Sequence, residues 1–359
     1  MHILFRDSRD LEGEAPAEDL RQPPAPLIAL SFSDSDLGAL AAAWTAADGA
    51  LPALRLANLA RLQHPLSVDL YLEQTVAGAR GVMVRSLGGE GWWRYGLRQL
   101  HDLARAKGIA LAVLPGDGRP DPALDALSTL PVSTLRRLAA LMDEGGPGAA
   151  RAALGQLALA AGLWAAPSPE PAALPRAGFW APGRGVTCPV AILPDARPAL
   201  VVFYRSYLAA ADLAPVAALA EALAARGLPP LCAFVPSLKD PEAAGWLAGW
   251  VRRLDPAVIL DAAAFAAGAA DPLRACAAPV LQVALSTADR ETWAASVRGL
   301  SPADLAMHVA LPEVDGRLFA GVVSFKAETA ADPALGHSRR VHAPAPDRVA
   351  AVADRAAGW

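Results

Sequence analysis

Short apolar runs alternate with amphipathic stretches twice over, in the same order, and this constrains the chain more than any other feature. Residues 27–31 (LIALS) read as a buried strand, and Ser33, Asp34, Ser35 and Asp36 supply caps for a helix that Gly49 ends. A strand at 54–57, a loop through His64-Pro65, a helix over 67–79 and a strand over 81–85 follow. From Leu200 the order returns: strand 200–204, helix 212–226, strand 231–235, helix 240–254, strand 257–260. Local detail matches too, with Gly49-Ala50-Leu51-Pro52 against Gly227-Leu228-Pro229 and Val82-Met83-Val84-Arg85 against Val258-Ile259-Leu260-Asp261. A helix between strands returns the chain to the same end of the sheet, so strands spaced this way run parallel and are covered on both faces. The expected fold class is α/β: two doubly wound, mainly parallel-sheet domains of similar layout joined by a proline-rich linker.

The first half adds a helix over 92–107, a strand over 109–114 and helices near 133–144 and 147–164. The second adds a strand over 279–285, a helix over 289–297 and a capped helix starting at Ser301-Pro302. Prolines 167, 169, 171, 175, 182 and 189 give the intervening stretch a linker composition. The expected boundaries are a head-like α/β domain over 1–164, a linker over 165–189, a second α/β domain over 190–345 and the start of a truncated helix over 346–359. A chain of 359 residues exceeds one ordinary core, and 54% hydrophobic with 19% charged residues is enough material for two.

The net charge is −4, and no basic run is interleaved with aromatics, so nucleic acid is not an expected partner. Arg6, Asp7, Arg9 and Asp10 interrupt the N-terminus, which reads as no secretory signal and gives a cytoplasmic expectation. The most apolar long segment, 152–166, contains Gln156 and falls short of the ~20 residues of a membrane span, so no membrane partner is expected either. Cys188, Cys232 and Cys276 are odd in number and imply no disulfide framework.

In open α/β sheets, ligands bind beyond the carboxyl ends of strands. By that rule His64 qualifies in the first half. So does Arg85 with Gly88 and Gly89, where backbone amides can hold an anion and Trp92 and Trp93 can face a large flat ligand. Arg205, Lys239 and Asp261 hold comparable places in the second half. For each, a capped, solvent-facing turn explains the same residues, and the tryptophans can equally be packing groups. Met307 to Leu311 reads as a strand that stops at Pro312 and leads through Glu313, Asp315 and Gly316 into a second apolar run ending at Lys326, a hairpin-like region. In extended backbone Glu313 and Asp315 lie on one side, where paired acids suit a cation or a polar ligand; a solvated turn is the alternative.

No two of the six histidines combine zinc-type spacing with a supporting cysteine or acid, and no resident metal is expected; His337 and His342, flanking Arg339-Arg340, read as solvated surface. A dinucleotide fingerprint, a phosphate loop and a nucleophile elbow are all missing from the sequence, so nucleotide hydrolysis by this chain is not expected.

Several multi-residue motifs occur in a definite order: Gln63-His64-Pro65-Leu66-Ser67-Val68-Asp69; Val84-Arg85-Ser86-Leu87-Gly88-Gly89 with Trp93-Arg94-Tyr95-Gly96; Val113-Leu114-Pro115-Gly116-Asp117; Phe203-Tyr204-Arg205-Ser206; Phe234 through Asp240; and Leu311 to Gly316 with Val323 to Lys326. Together they resemble the large subunit of aerobic cobaltochelatase, within the cobaltochelatase/magnesium chelatase large-subunit family, and match its N-terminal portion only. The resemblance implies a tetrapyrrole-binding subunit of a ligase that forms nitrogen–metal bonds, inserting Co2+ into hydrogenobyrinic acid a,c-diamide in cobalamin (vitamin B12) biosynthesis. It also implies that Co2+ is a substrate, that Mg-ATP is used by two AAA+ type partner subunits, and that no cofactor is bound by this portion. Catalytic residues are then expected downstream of Trp359, leaving this portion inactive alone.

On the same basis Arg85, Gly88, Gly89, Trp92 and Trp93 in one half, and Arg205, Lys239 and Glu313 in the other, are expected to enclose the substrate or dock partners, arginine gripping carboxylates bidentately. His64 and Asp315 join Glu313 as groups with chemistry suited to a base or a cation ligand, placed behind a docking role. A two-lobed small-molecule-binding module and a magnesium chelatase homologue are the alternatives. A two-domain glycosyltransferase would need a nucleotide-sugar phosphate site that the sequence does not show.

Overall fold

A computed structural model describes residues 16–86, 88–167, 171, 173–188 and 196–359. They divide into two compact units. Unit 1 runs to Leu174 and includes Ala209–Ala211 and Glu328–Arg339; unit 2 comprises Pro175–Leu208, Asp212–Ala327 and Arg340–Trp359.

Unit 1 contains β1 (Leu27–Ser31), α1 (Asp34–Ala46), β2 (Leu54–Asn58), α2 (Pro65–Gln74), β3 (Gly81–Ser86), α3 (Arg94–Lys107), β4 (Ala110–Pro115), α4 (Pro122–Ala126), α5 (Val132–Glu144) and α6 (Gly146–Ala160). Its sheet has the order β2-β1-β3-β4, parallel throughout. Every residue of β1 is buried, because successive side chains enter two different cores. Leu27 and Ala29 pack with α1, α5 and α6, whereas Ile28 and Leu30 pack with α2 and α3. Ser33 caps α1 as expected, its hydroxyl accepting from Asp36 N at 3.3 Å.

A segment from far along the chain completes this unit. Leu335 joins the core beneath α1, α5 and α6, and its carbonyl accepts from Leu56 N at 3.1 Å. Arg55 Nη1 donates to Ala334 O at 2.6 Å, and Gln22 Nε2 bridges Leu56 O (2.8 Å) and Gly336 O (2.6 Å). β2 is an edge strand, and the strap gives its outward-facing Leu56 N a partner while Gln22 takes Leu56 O.

Unit 2 contains β5 (Gly178–Ala181), β6 (Gly185–Thr187), β7 (Ala199–Tyr204), α7 (Arg205–Ala209), α8 (Ala214–Ala224), β8 (Pro230–Val235), α9 (Pro241–Leu254), β9 (Val258–Asp261), β10 (Val280–Leu285), α10 (Arg290–Ala295), α11 (Pro302–Leu305), α12 (Leu311–Val314), β11 (Leu318–Glu328), β12 (Arg340–Pro344) and α13 (Pro346–Ala357). The sheet order is β12-β11-β10-β9-β7-β8-β5-β6. Inside it, β8-β7-β9-β10 repeats the order of unit 1, and β7 to β11 are parallel. β5 is antiparallel to β8, and β6 to β5. These two strands fall within the proline-rich stretch 165–189. Residues 168–170, 172 and 189 of that stretch lie outside the described residues, as do Leu87 and the charged N-terminal positions 6–10.

One element differs in kind from the sequence expectation. Met307 is not in a strand: Ala306–Ala310 is a π-helix that continues into α12, and β11 then runs parallel to β10, so no hairpin forms. A short apolar run has no decisive period, and here Ser301 starts a helix by accepting from Asp304 N at 3.0 Å. Pro312 would clash with the carbonyl of His308 in a regular α-helix, and the ladder widens over the residues just before it.

Candidate functional site

In each sheet the first strand has its sequential neighbour on one side and the next strand on the other, β1 between β2 and β3, and β7 between β8 and β9. Chain connections leave in opposite directions there and open a crevice at the carboxyl ends, the usual ligand position in such folds.

At the unit 1 crevice Ser31 Oγ donates to Asp36 Oδ2 at 2.8 Å, and Arg85 lies almost wholly buried. Arg85 Nη1 donates to Asp36 Oδ1 (3.1 Å) and Met142 O (2.9 Å), and Nη2 to Asp143 Oδ1 (2.5 Å). Its guanidinium fork is thus engaged by internal acceptors. Burial raises the pKa of Asp36, with Arg85 and the Ser31 hydroxyl opposing. Asp143 is raised as well, by burial first, against Arg85 and helped by Asp36 and Asp117.

Gly88 and Gly89 have φ of 78° and 75°, and the Ser86 hydroxyl donates to Gly89 O at 2.8 Å. A Cβ on Gly88 would stand 2.2 Å from Trp92 Nε1, so the turn and the indole are built to one another. Trp92 is 64% exposed and meets Phe32 edge-on, with centroids 6.4 Å apart. Trp93 goes the other way: it is buried, and its Nε1 donates to Leu62 O at 2.6 Å. Only the first indole of the pair can face a ligand. His64 caps α2, its Nδ1 accepting from Leu66 N at 3.1 Å. A cavity of about 620 Å³ lies at the opposite, amino end of this sheet, bordered by Arg80, His101 and Arg105, and includes none of these residues.

In unit 2, Arg205 begins α7 and its Nε donates to Pro175 O at 3.0 Å. Lys239 is exposed in the turn before Asp240, the residue that caps α9. Glu313 is exposed on α12, whereas Asp315 is buried, so the expected acid pair does not form: helical backbone at 311–314 separates two residues that an extended strand would align. Asp315 accepts from Ala267 N (2.5 Å) and Gly268 N (3.1 Å), and pairs with Arg317 Nη2 at 3.2 Å.

Arg317 is the centre of a buried charge cluster beside the β7/β9 crevice. Its Nη1 pairs with Asp261 at the end of β9, and its Nη2 with Asp271 at 3.2 Å. Three carboxylates surround one guanidinium, each of the four residues at most 7% exposed. Burial raises Asp261 to about 7; Arg317 and the Ala263 amide oppose the shift, and Asp271 and Asp315 reinforce it. Tyr204, at the end of β7, donates its hydroxyl to Ala264 O at 2.5 Å.

A second polar group lies past β10. Asp304 accepts from Ser286 Oγ (3.2 Å) and Thr287 N (3.0 Å). His308, on the π-helix, is held below the ordinary imidazole pKa by burial, with Asp304 opposing. His342 is buried in β12, its amide donating to Asp212 Oδ1 at 3.0 Å, and His337 is buried in unit 1; neither is the solvated loop residue expected. Asp143, Asp271, Asp304 and Arg317 escape sequence reasoning because each has side-chain or backbone partners 17 to 58 residues away that no local motif marks, although Asp315 lies two residues from Arg317. Among the described residues, no group of three or more His, Cys, Asp or Glu is arranged to hold a metal ion. No described helix is long and apolar enough to cross a membrane.

The family profile described as CobN/Magnesium Chelatase matches residues 141–359. Two curated relatives, both named aerobic cobaltochelatase subunit CobN, come from a Sinorhizobium species and from Pseudomonas aeruginosa. The first is 39% identical over 100% of this chain and the second 38% identical over 91%. This chain spans 29% and 27% of their respective lengths. A solved structure, the catalytic subunit of cobaltochelatase from Mycobacterium tuberculosis, aligns with a TM-score of 0.68 over 92% of this chain and 27% of its own, at 27% identity. With a family match over more than half its length and strand order repeated in both units, the chain belongs to the CobN/magnesium chelatase family.

Proposed function

We propose that this chain is part of the tetrapyrrole-binding large subunit of an ATP-dependent cobaltochelatase, acting on hydrogenobyrinic acid a,c-diamide with Co2+ as second substrate. The observation that carries this is the 39% identity, along the whole chain, to a protein named as an aerobic cobaltochelatase subunit. Two AAA+ type partners that hydrolyse Mg-ATP, and a cytoplasmic setting, belong to the same proposal.

Chelation requires bending the macrocycle, removing two pyrrole protons and stripping water from the cation, and the base needs a pKa near the working pH. His64, Glu313 and Asp315 do not supply that set together: His64 caps a helix, Asp315 fastens a loop, and Glu313 faces solvent. The contribution of these units is therefore holding substrate and partners, with Trp92, Gly88 and Gly89 at one crevice and Arg205 and Lys239 at the other. Arg85 acts behind the first crevice by positioning Asp36 and Asp143.

Reconstitution tests the proposal. Intact protein, two AAA+ partners, Mg-ATP, Co2+ and the a,c-diamide should yield the cobalt corrinoid, followed by its absorbance. Insertion of Mg2+ into a porphyrin instead would assign the magnesium branch, and binding without insertion by any metal would leave a binding module.

A further inference from the structure

Phe265 has φ +71°, a left-handed conformation that a bulky side chain rarely adopts and that costs about 1–2 kcal/mol. The other described non-glycine residues with positive φ are Arg21, Asp48, Ala211 and Asp255, none of them aromatic. Its backbone is fastened on both sides. The amide donates to Met307 O at 2.8 Å on the π-helix, and the carbonyl accepts from Arg317 Nη1 at 3.3 Å. The preceding carbonyl, Ala264 O, takes the Tyr204 hydroxyl, and the amides of Ala267 and Gly268 are held by Asp315. A buried four-residue charge cluster and a widened helical turn thus over-determine one strained residue.

The side chain so held is 45% exposed, four residues past the end of β9 at the unit 2 crevice. Packing does not explain it, since an apolar ring left in water forgoes its burial energy, and a simple turn would place glycine or asparagine at this φ. Strain of this kind persists where function needs it. We propose that Phe265 is a ligand-contact residue whose preorganised ring stacks on a flat conjugated ring system at the carboxyl edge of β7 and β9. The identity of that ligand as the tetrapyrrole rests on the function proposed above. Holding the ring rigid before binding removes an ordering cost that a free side chain would carry into the complex.

Phe265→Gly and Phe265→Asn separate strain from contact, because both residues accept positive φ and both lack the ring. Titration of the intact protein with hydrogenobyrinic acid a,c-diamide, followed by absorbance of the macrocycle, should show Kd rising about tenfold in each variant. Phe265→Tyr should bind as the unsubstituted protein does, and melting temperatures of the Gly and Asn variants should be unchanged or higher. Unchanged Kd in folded Gly or Asn variants, alongside binding by the unsubstituted protein, overturns the contact role and leaves the proposed function standing. No binding by the unsubstituted protein overturns both.

Discussion

Arg317 is outnumbered by the acids it serves, and its removal should be felt far more than that of a surface arginine. Arg317→Met leaves Asp261, Asp271 and Asp315 buried without a counter-charge, a change expected to cost about 3–5 kcal/mol, read from the urea midpoint. Exposed pairs such as Arg290 with Asp347 should change the midpoint little when broken. The same cluster makes stability pH-dependent. Asp261 has a folded pKa of about 7 against an ordinary 3.8, so folding favours its protonated form. The stability this contributes is complete below the ordinary value and is lost as pH rises through about 7. Melting temperature should therefore fall between about pH 4 and 7 and level off above, and Asp261→Asn, which cannot ionise, should flatten that slope. Equal slopes in the two proteins would assign the pH dependence elsewhere.

Among elements, the loop after β3 is the most sharply constrained. Gly88→Ala combines a positive φ with a Cβ inside the Trp92 ring, so it should displace the indole and shift its fluorescence emission while leaving α3 intact; an unmoved spectrum would contradict the packing described. The central strands β1 to β4 and β7 to β10 were legible in the sequence for a physical reason, whereas β5 and β6, in the expected linker, and β12, in an expected solvated loop, were not. Burial on both faces turns LIALS and its counterparts into unbroken apolar runs, and Ser33 and Asp240 mark helix starts by their own chemistry. Residues 306–310 were not legible, because helix and buried strand share a composition at that length. Site residues fared unevenly. Glycines 88 and 89 and the exposed Trp92 stand where their motif places them, at a strand end, whereas the burial of Arg85 depends on Asp143 from α5, which no spacing rule connects to it.

For the molecule as a whole, the division into units does not follow the order of the sequence. Leu335 lies in the second half yet is 2% exposed in the unit 1 core, so Leu335→Ala should cost about 2–5 kcal/mol there. Hydrogen exchange should quicken at the β2 amides and remain slow in β7. The repeated succession of strands and helices was legible in the sequence but the sheet order and this strap were not, since a pattern match reports what two segments share and not what one lends the other. Synthesis proceeds from the N-terminus, so a ribosome releases β1 to β4 long before residues 334–336 exist. Until then the nascent sheet carries an uncovered hydrogen-bonding margin along β2, open to pairing with another nascent chain. A unit 1 segment produced without its late strap should aggregate, and supplying a peptide of residues 328–339 should suppress that aggregation, measured by light scattering.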